Sequence, residues 1–131
     1  MAMTPQAPAR KRLALLGVPV AVLVFSTAWA AWLAWREPML GAEVARLAGP
    51  GDVRMLSSRT CVFCDSARHW LTTHRVAFEE CEIETDAACA AQFNALMAPG
   101  TPVMLVRGRP QVGFSPQRVR EALAQGPAAG G

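Results

Sequence analysis

Charged residues are scarce in this 131-residue chain, at 18%, whereas hydrophobic residues make up 52%. Disordered regulators need the opposite balance, with low hydrophobicity and a high net charge. The composition therefore excludes a disordered regulator, and the length allows little more than one ordinary domain. The apolar excess must be buried in a core or placed in lipid.

The chain also lacks a basic patch outside its N-terminal region. Its net charge of +3 is carried by the cluster Arg10-Lys11-Arg12, because basic and acidic residues balance in 13–50 and again in 51–131. Nucleic-acid binders need clustered basic residues to neutralise phosphates. With a neutral C-terminal body, the protein is not expected to bind nucleic acid.

No charged residue occurs between Leu13 and Trp35. As a helix this run would extend about 35 Å, enough to cross a hydrocarbon core of about 30 Å. We predict a transmembrane helix at 13–35, and the basic tail at 1–12 favours a cytoplasmic N-terminus. The expected localisation is a single pass through the cell inner membrane, with the body in the periplasm.

A cleaved signal peptide is the alternative interpretation of the same segment. A basic region, an apolar region and the A-x-A motif Ala28-Trp29-Ala30 are all present. The anchor is preferred because the apolar run continues for five residues beyond Ala30. Both interpretations export the C-terminal body.

The rest of the chain divides into a tether, a domain and a tail. Residues 36–51 are expected to be a tether or short amphipathic helix that ends at Gly49-Pro50-Gly51. Residues 52–125 form the predicted domain, and 126–131 are expected to be disordered.

Hydrophobic periodicity in 52–125 predicts the element order β-α-β-α-β-β-α. This is an α/β fold with a mixed four-stranded sheet, in which the first two strands are parallel and a final hairpin is antiparallel. The strands are expected at 53–57, 76–84, 103–106 and 111–114. The expected core residues include Phe63, Ala67, Trp70, Leu71, Met97 and Met104.

Cys61-Val62-Phe63-Cys64 lies where the first strand passes into the first helix of the domain. Unpaired N–H groups and the helix dipole at this position favour a thiolate, lowering the thiol pKa from about 8.5. Cys61 is therefore predicted to be the nucleophile and Cys64, one turn further, the resolving thiol. Arg59 is a candidate contact for an anionic thiol substrate, or else a solvated surface residue.

The other polar residues give weaker signals. Cys81 and Cys89 provide no second C-x-x-C, which disfavours a four-cysteine zinc site. Cys81 is interpreted either as a small buried side chain or as the partner of Cys89 in a structural disulfide. His69 and His74 are expected to be surface or capping residues. The acidic cluster is interpreted as a solvated strand edge; it comprises Glu79, Glu80, Glu82, Glu84 and Asp86.

Four segments together resemble the glutaredoxin branch of the thioredoxin-fold superfamily. They are the residues 59–65 around the C-x-x-C motif, the strand at 76–84, Gly100-Thr101-Pro102-Val103, and 112–116. The resemblance covers about residues 52–125 and implies a thioredoxin-like fold, thiol–disulfide exchange, and no metal or organic cofactor. It also implies a cis Thr101-Pro102 bond that lies against Cys61 and Cys64 and helps to bind a thiol substrate.

The sequence departs from the family where glutathione-using members carry a Gly-Gly and acidic pair. Gly113-Phe114-Ser115-Pro116 stands there instead, closer to glutaredoxin-like redoxins that accept electrons from thioredoxin-type reductases. Glutathione is therefore doubtful as the electron donor, which stays unknown.

The sequence thus predicts a membrane-anchored thiol–disulfide oxidoreductase that acts on exported protein or small-molecule disulfides. Two alternatives stay open. In the first, Cys61 and Cys64 bind copper, zinc or a cluster. In the second, the domain is a non-catalytic adaptor for a partner protein.

Overall fold

The structure, a computed structural model, describes residues 10–127, with side chains from Gly17 onward. Most of the predicted N-terminal tail and residues 128–131 of the predicted disordered tail lie outside this range. The described residues fall into two compact units that divide after Arg36.

Eight elements make up the described chain. The helices are α1 (Arg10–Leu47), α2 (Val62–Thr73), α3 (Ala87–Ala95) and α4 (Pro116–Ala124). The strands are β1 (Val53–Ser57), β2 (Glu79–Glu82), β3 (Val103–Val106) and β4 (Arg109–Val112). After α1, the order is β-α-β-α-β-β-α, which confirms the predicted fold class.

The four strands form one mixed sheet in the order β2-β1-β3-β4. β1 pairs parallel with β2 and antiparallel with β3, and β3 pairs antiparallel with β4. The hairpin turns at Arg107-Gly108, where φ is 48° and 81°. Two consecutive residues with positive φ make the tight turn that suits twisted strands, so β4 begins at Arg109, earlier than the predicted 111.

The first unit contains the apolar part of α1. Within the described residues, one helix segment, Gly17–Leu47, is long and apolar enough to cross a membrane. Its hydroxyl groups on Ser26 and Thr27 donate to carbonyl oxygens one turn earlier in the helix, which satisfies them without water. The exposed apolar side chains of this unit suit contact with lipid.

The second unit begins at Glu37, earlier than the boundary at 52 expected from the sequence. Residues 37–47 continue α1, and Val44 and Ala48 are buried in the core. Gly41 approaches α2 so closely that a Cβ atom there would lie 1.8 Å from the ring of His74. Of the two expectations for this segment, a tether or a short helix, residues 37–47 follow the second and pack into the core.

The sheet has an apolar core on each face. The larger core includes Val44, Met55, Leu71, Met104 and Leu123, contributed by α1, β1, α2, β3 and α4. The smaller core, beneath α3, includes Leu56, Cys81, Cys89, Val103 and Leu105.

Most of the predicted core residues are confirmed, but two are wrong. Met97 is 88% exposed, because α3 ends at Ala95 and the chain turns at Met97 with φ 48°. Phe63 is 72% exposed, because its side chain lies on the side of α2 that lines a groove. Ala67, Leu71 and Met104 are fully buried, as predicted.

Arg107 connects three parts of the second unit. Its guanidinium group donates to the carbonyl oxygens of Leu47 and Leu123 and to the carboxylate of Asp52, 3.1 Å away. The backbone N–H of Gly49 also donates to Asp52. The hydrogen bond from Arg107 is the main reason why the pKa of Asp52 lies below its ordinary value of 3.8.

We expect Asp52→Asn to destabilise the second unit at pH 7 by about 1 kcal/mol, because Arg107 loses its charged partner. The lowered pKa means that the unfolded chain binds a proton more readily, so this stabilisation is present above pH 3.8 and is lost as the pH falls further. Amide hydrogen exchange of β1 and β3 in the full-length protein should therefore differ between the two proteins at pH 7, and this difference should become smaller as the pH is lowered below 3.8. The exposed Glu79→Gln is the control, and a difference that stays constant as the pH falls below 3.8 would contradict the assignment.

Candidate active site

Cys61 and Cys64 form a disulfide at the N-terminus of α2, with their Cα atoms 5.2 Å apart. Cys61 is the N-cap residue, and the backbone N–H of Cys64 lies 3.1 Å from its sulfur. Cys61 is partly exposed, whereas Cys64 is fully buried. A substrate can therefore reach the sulfur of Cys61 but not that of Cys64.

The Thr101-Pro102 bond is cis, as the family resemblance implied. Val103, the next residue, pairs with Leu56 near the end of β1, so this loop and the loop that leads to Cys61 start from adjacent strand ends. Pro102 is buried, and its carbonyl oxygen accepts a hydrogen bond from Gly113 at 2.8 Å. The roles of Thr101 and Pro102 in substrate binding stay predictions.

A groove of about 430 Å³ runs beside the start of α2. It is lined by the side of α2, the loop that holds the cis bond, and the end of β4, and none of the lining residues is charged. The lining comprises Phe63, Ser66, Pro99, Gly100, Thr101, Pro102, Val112, Gly113 and Phe114. Exposed apolar side chains such as Phe63 and Val112 make this groove suitable for an apolar segment of a substrate.

Arg59 lies in the loop before Cys61, and its side chain is 62% exposed. Its Nε atom lies 3.3 Å from a carboxylate oxygen of Glu82, so the guanidinium is shared with an acidic neighbour. The proposed contact between Arg59 and an anionic substrate remains a prediction.

The acidic residues of β2 do more than form a solvated edge. Glu80 accepts two hydrogen bonds from Arg68 of α2. These hydrogen bonds are the main reason why the pKa of Glu80 lies below its ordinary value of 4.5. Glu84, just beyond β2, accepts hydrogen bonds from Ser58 and from the backbone of Arg59. These contacts join residues more than ten positions apart, and no local pattern in the sequence indicates them.

Cys81 and Cys89 form a second disulfide, with Cα atoms 6.0 Å apart, which resolves the two interpretations left open by the sequence. Their exposed fractions are 8% and 0%. All four cysteines are therefore paired. Among residues 10–127, no group of three or more His, Cys, Asp or Glu side chains is arranged to hold a metal ion.

The two histidines lie away from the cysteine pair. His74 is the C-cap residue of α2, and its ring stacks on Trp70 at 4.2 Å. His69 is exposed on α2. Both positions agree with the expectation of surface or capping residues.

Residues 53–111 match the glutaredoxin family model. No curated protein matches the chain. A crystallised mutant of the thioredoxin-like protein BC3987 has 21% identity and a TM-score of 0.51, covering 56% of this chain and 96% of that one. This likeness shows a thioredoxin-like fold.

Two solved glutaredoxins are also similar to this chain. The glutaredoxin of Archaeoglobus fulgidus has 18% identity and a TM-score of 0.47, covering 60% of this chain and 91% of that one. Wheat glutaredoxin has 18% identity and a TM-score of 0.46, covering 72% of this chain and 98% of that one.

The difference in exposure between the two disulfides predicts selective reduction. Limiting dithiothreitol should reduce Cys61–Cys64 in the native full-length protein and leave Cys81–Cys89 intact, because thiol exchange needs access to a sulfur atom. Alkylation followed by peptide mass spectrometry measures both pairs in one sample, and reduction in denaturant is the control. Equal labelling of both pairs without denaturant would show that the second disulfide is open to attack.

Proposed function

We propose that the protein is a thiol–disulfide oxidoreductase that works through Cys61 and Cys64, and the match of residues 53–111 to the glutaredoxin family model supports this proposal. The observation that carries this proposal is the position of the Cys61 sulfur at the N-terminus of α2, bonded to its partner and 3.1 Å from the backbone N–H of Cys64. That N–H and the helix dipole stabilise a negative charge on the sulfur once the disulfide is reduced.

The reduced protein attacks a substrate disulfide with the thiolate of Cys61. A bond forms between Cys61 and one substrate sulfur, and the other substrate sulfur leaves as a thiolate and takes up a proton. The thiolate of Cys64 then attacks the Cys61 sulfur and releases the second substrate thiol. The substrate gains two electrons and two protons, and the protein regains its Cys61–Cys64 disulfide. The same steps in reverse oxidise a dithiol substrate.

Protein disulfides are the substrates that the groove favours. Glutathione carries two carboxylates, and no lining residue of the groove offers them a positive charge. Apolar lining residues suit an uncharged polypeptide segment beside a disulfide. After each turnover the Cys61–Cys64 disulfide must be reduced again by a dithiol donor. We propose that this donor is an exported redox protein.

The proposed location of the domain is outside the cytoplasm. The long apolar helix and the Arg10-Lys11-Arg12 cluster support a single-pass anchor with a cytoplasmic N-terminus. A buried structural disulfide, Cys81–Cys89, supports an oxidising compartment.

The topology is tested with reporter fusions to the C-terminus of the full chain in a bacterial host. Alkaline phosphatase, which needs export, should be active, and a fluorescent protein that needs the cytoplasm should be dark. Replacing Arg10, Lys11 and Arg12 with Glu should reduce the phosphatase activity, because the positive charges set the orientation. The opposite reporter pattern would place the domain in the cytoplasm.

The mechanism predicts different defects for the two cysteine variants. Cys61→Ser should lower protein-disulfide reduction to the uncatalysed rate, because the attacking thiolate is missing. Cys64→Ser should stop at a mixed disulfide between Cys61 and the substrate, because the resolving thiol is missing. Turnover with insulin and mass spectrometry of the trapped species measure both.

His69→Ala, an exposed change on the same helix, is the control and should retain activity. Activity of Cys61→Ser equal to that of the unmodified protein would overturn the mechanism. Faster turnover of glutathione disulfide than of protein disulfides would overturn the substrate class.

A further inference from the structure

The loop between β1 and α2 depends on outside contacts for its position. It consists of Ser58, Arg59 and Thr60, and its internal backbone hydrogen bond runs from the N–H of Cys61 to the carbonyl of Ser58 at 3.2 Å. Because of this hydrogen bond, contacts that fix the position of Ser58 also fix the position of Cys61 at the N-terminus of α2.

Glu84, which lies just beyond β2, holds this loop through two hydrogen bonds. One of its carboxylate oxygens accepts a hydrogen bond from the hydroxyl of Ser58 at 2.5 Å and another from the backbone N–H of Arg59 at 3.3 Å. The hydrogen bond from Ser58 is the main reason why the pKa of Glu84 lies below its ordinary value of 4.5. The carboxylate is therefore ionised at neutral pH.

The segment that carries Glu84 is itself closed by the second disulfide. It leaves β2 after Glu82, and its residue Ile83 donates a backbone hydrogen bond to Ser57 at 3.0 Å. It then enters α3, whose N-cap Asp86 accepts from the N–H of Cys89 at 3.0 Å. The Cys81–Cys89 bond joins both ends of this segment, which restricts the conformations available to Glu84.

We propose that Glu84 is a positioning residue for Cys61, and that the Cys81–Cys89 disulfide holds Glu84 in place for this role. Glu84 acts through Ser58 and Arg59, which keep Cys61 at the N-cap of α2. There the sulfur accepts a hydrogen bond from the N–H of Cys64 and lies at the positive end of the helix dipole. When the loop is released, the sulfur loses part of this stabilisation and the pKa of the Cys61 thiol rises.

A pair of substitutions separates positioning from charge. Glu84→Ala removes both the acceptor and the charge, whereas Glu84→Gln removes the charge and keeps an oxygen that can accept both hydrogen bonds. If Glu84 acts by position, the pKa of Cys61 rises in Glu84→Ala by about one unit and stays near its original value in Glu84→Gln. If Glu84 acts only by its negative charge, both variants lower the pKa of Cys61.

The measurement is the pH dependence of Cys61 alkylation by iodoacetamide, in the full-length protein with Cys64→Ala so that Cys61 is the free thiol. Glu84→Ala should lower the alkylation rate at neutral pH about tenfold, because a rise of one pKa unit lowers the fraction of Cys61 that is thiolate by about that factor. Glu79→Ala, a change at an exposed acidic residue of β2, is the matched control and should leave the rate unchanged. Equal rates in Glu84→Ala and Glu84→Gln would overturn the proposal.

Removing the second disulfide tests its part in the proposal. The double change Cys81→Ala and Cys89→Ala should slow Cys61 alkylation, as Glu84→Ala does. Adding Glu84→Ala to this variant should slow alkylation no further than Glu84→Ala alone, because the disulfide acts on Cys61 through Glu84. Additive effects would show that the disulfide acts elsewhere. If the disulfide variant does not fold, as shown by hydrogen exchange of β1 and β3, the Glu84→Ala and Glu84→Gln pair still decides the role of Glu84.

The proposal rests on the proposed function only in taking Cys61 as the nucleophile. Alkylation needs no disulfide substrate, so the two can fail separately. An ordinary Cys61 pKa near 8.5 in the unsubstituted background would count against the proposed nucleophile. A low pKa that Glu84→Ala leaves unchanged would count against the role of Glu84.

Discussion

The unpaired backbone N–H groups at the start of α2 are the constraint on which the site depends. Every helix begins with such groups, and side-chain oxygens accept from them in two other helices: Asp86 for α3 and Ser115 for α4. In α2 the acceptor is the sulfur of Cys61. A neutral sulfur is a weak acceptor and a thiolate a strong one, so the capping requirement of the helix favours the reactive form of the cysteine.

The sheet brings the other parts of the site to this helix end. β1 is central, pairing with β2 on one side and β3 on the other, and its last residues lead into the loop that carries Cys61. The same pairing places the Thr101-Pro102 loop and the Glu84 segment beside that loop. A shift of one residue in either pairing would turn Leu56 or Val103 away from the smaller core, so the buried side chains also fix the register of the site.

Local sequence signals predicted the element order, the position of Cys61 and Cys64 at the start of α2, and the burial of Ala67, Leu71 and Met104. They work because capping and periodicity involve neighbours in sequence. Met97 and Phe63 were misplaced because their exposure depends on where a helix ends and where the sheet stops. The Cys81–Cys89 bond and the contacts of Glu84 join distant positions, so they required the folded chain.

The burial of Val44 and Ala48 has a practical consequence for producing the soluble part of the protein. A chain cut at residue 52, just before the sheet begins, would remove both side chains from the larger core and would lose the backbone oxygen of Leu47 that accepts a hydrogen bond from Arg107. Such a fragment would expose apolar surface and aggregate readily. A cut between Arg36 and Glu37 keeps the helical segment with the domain that it completes.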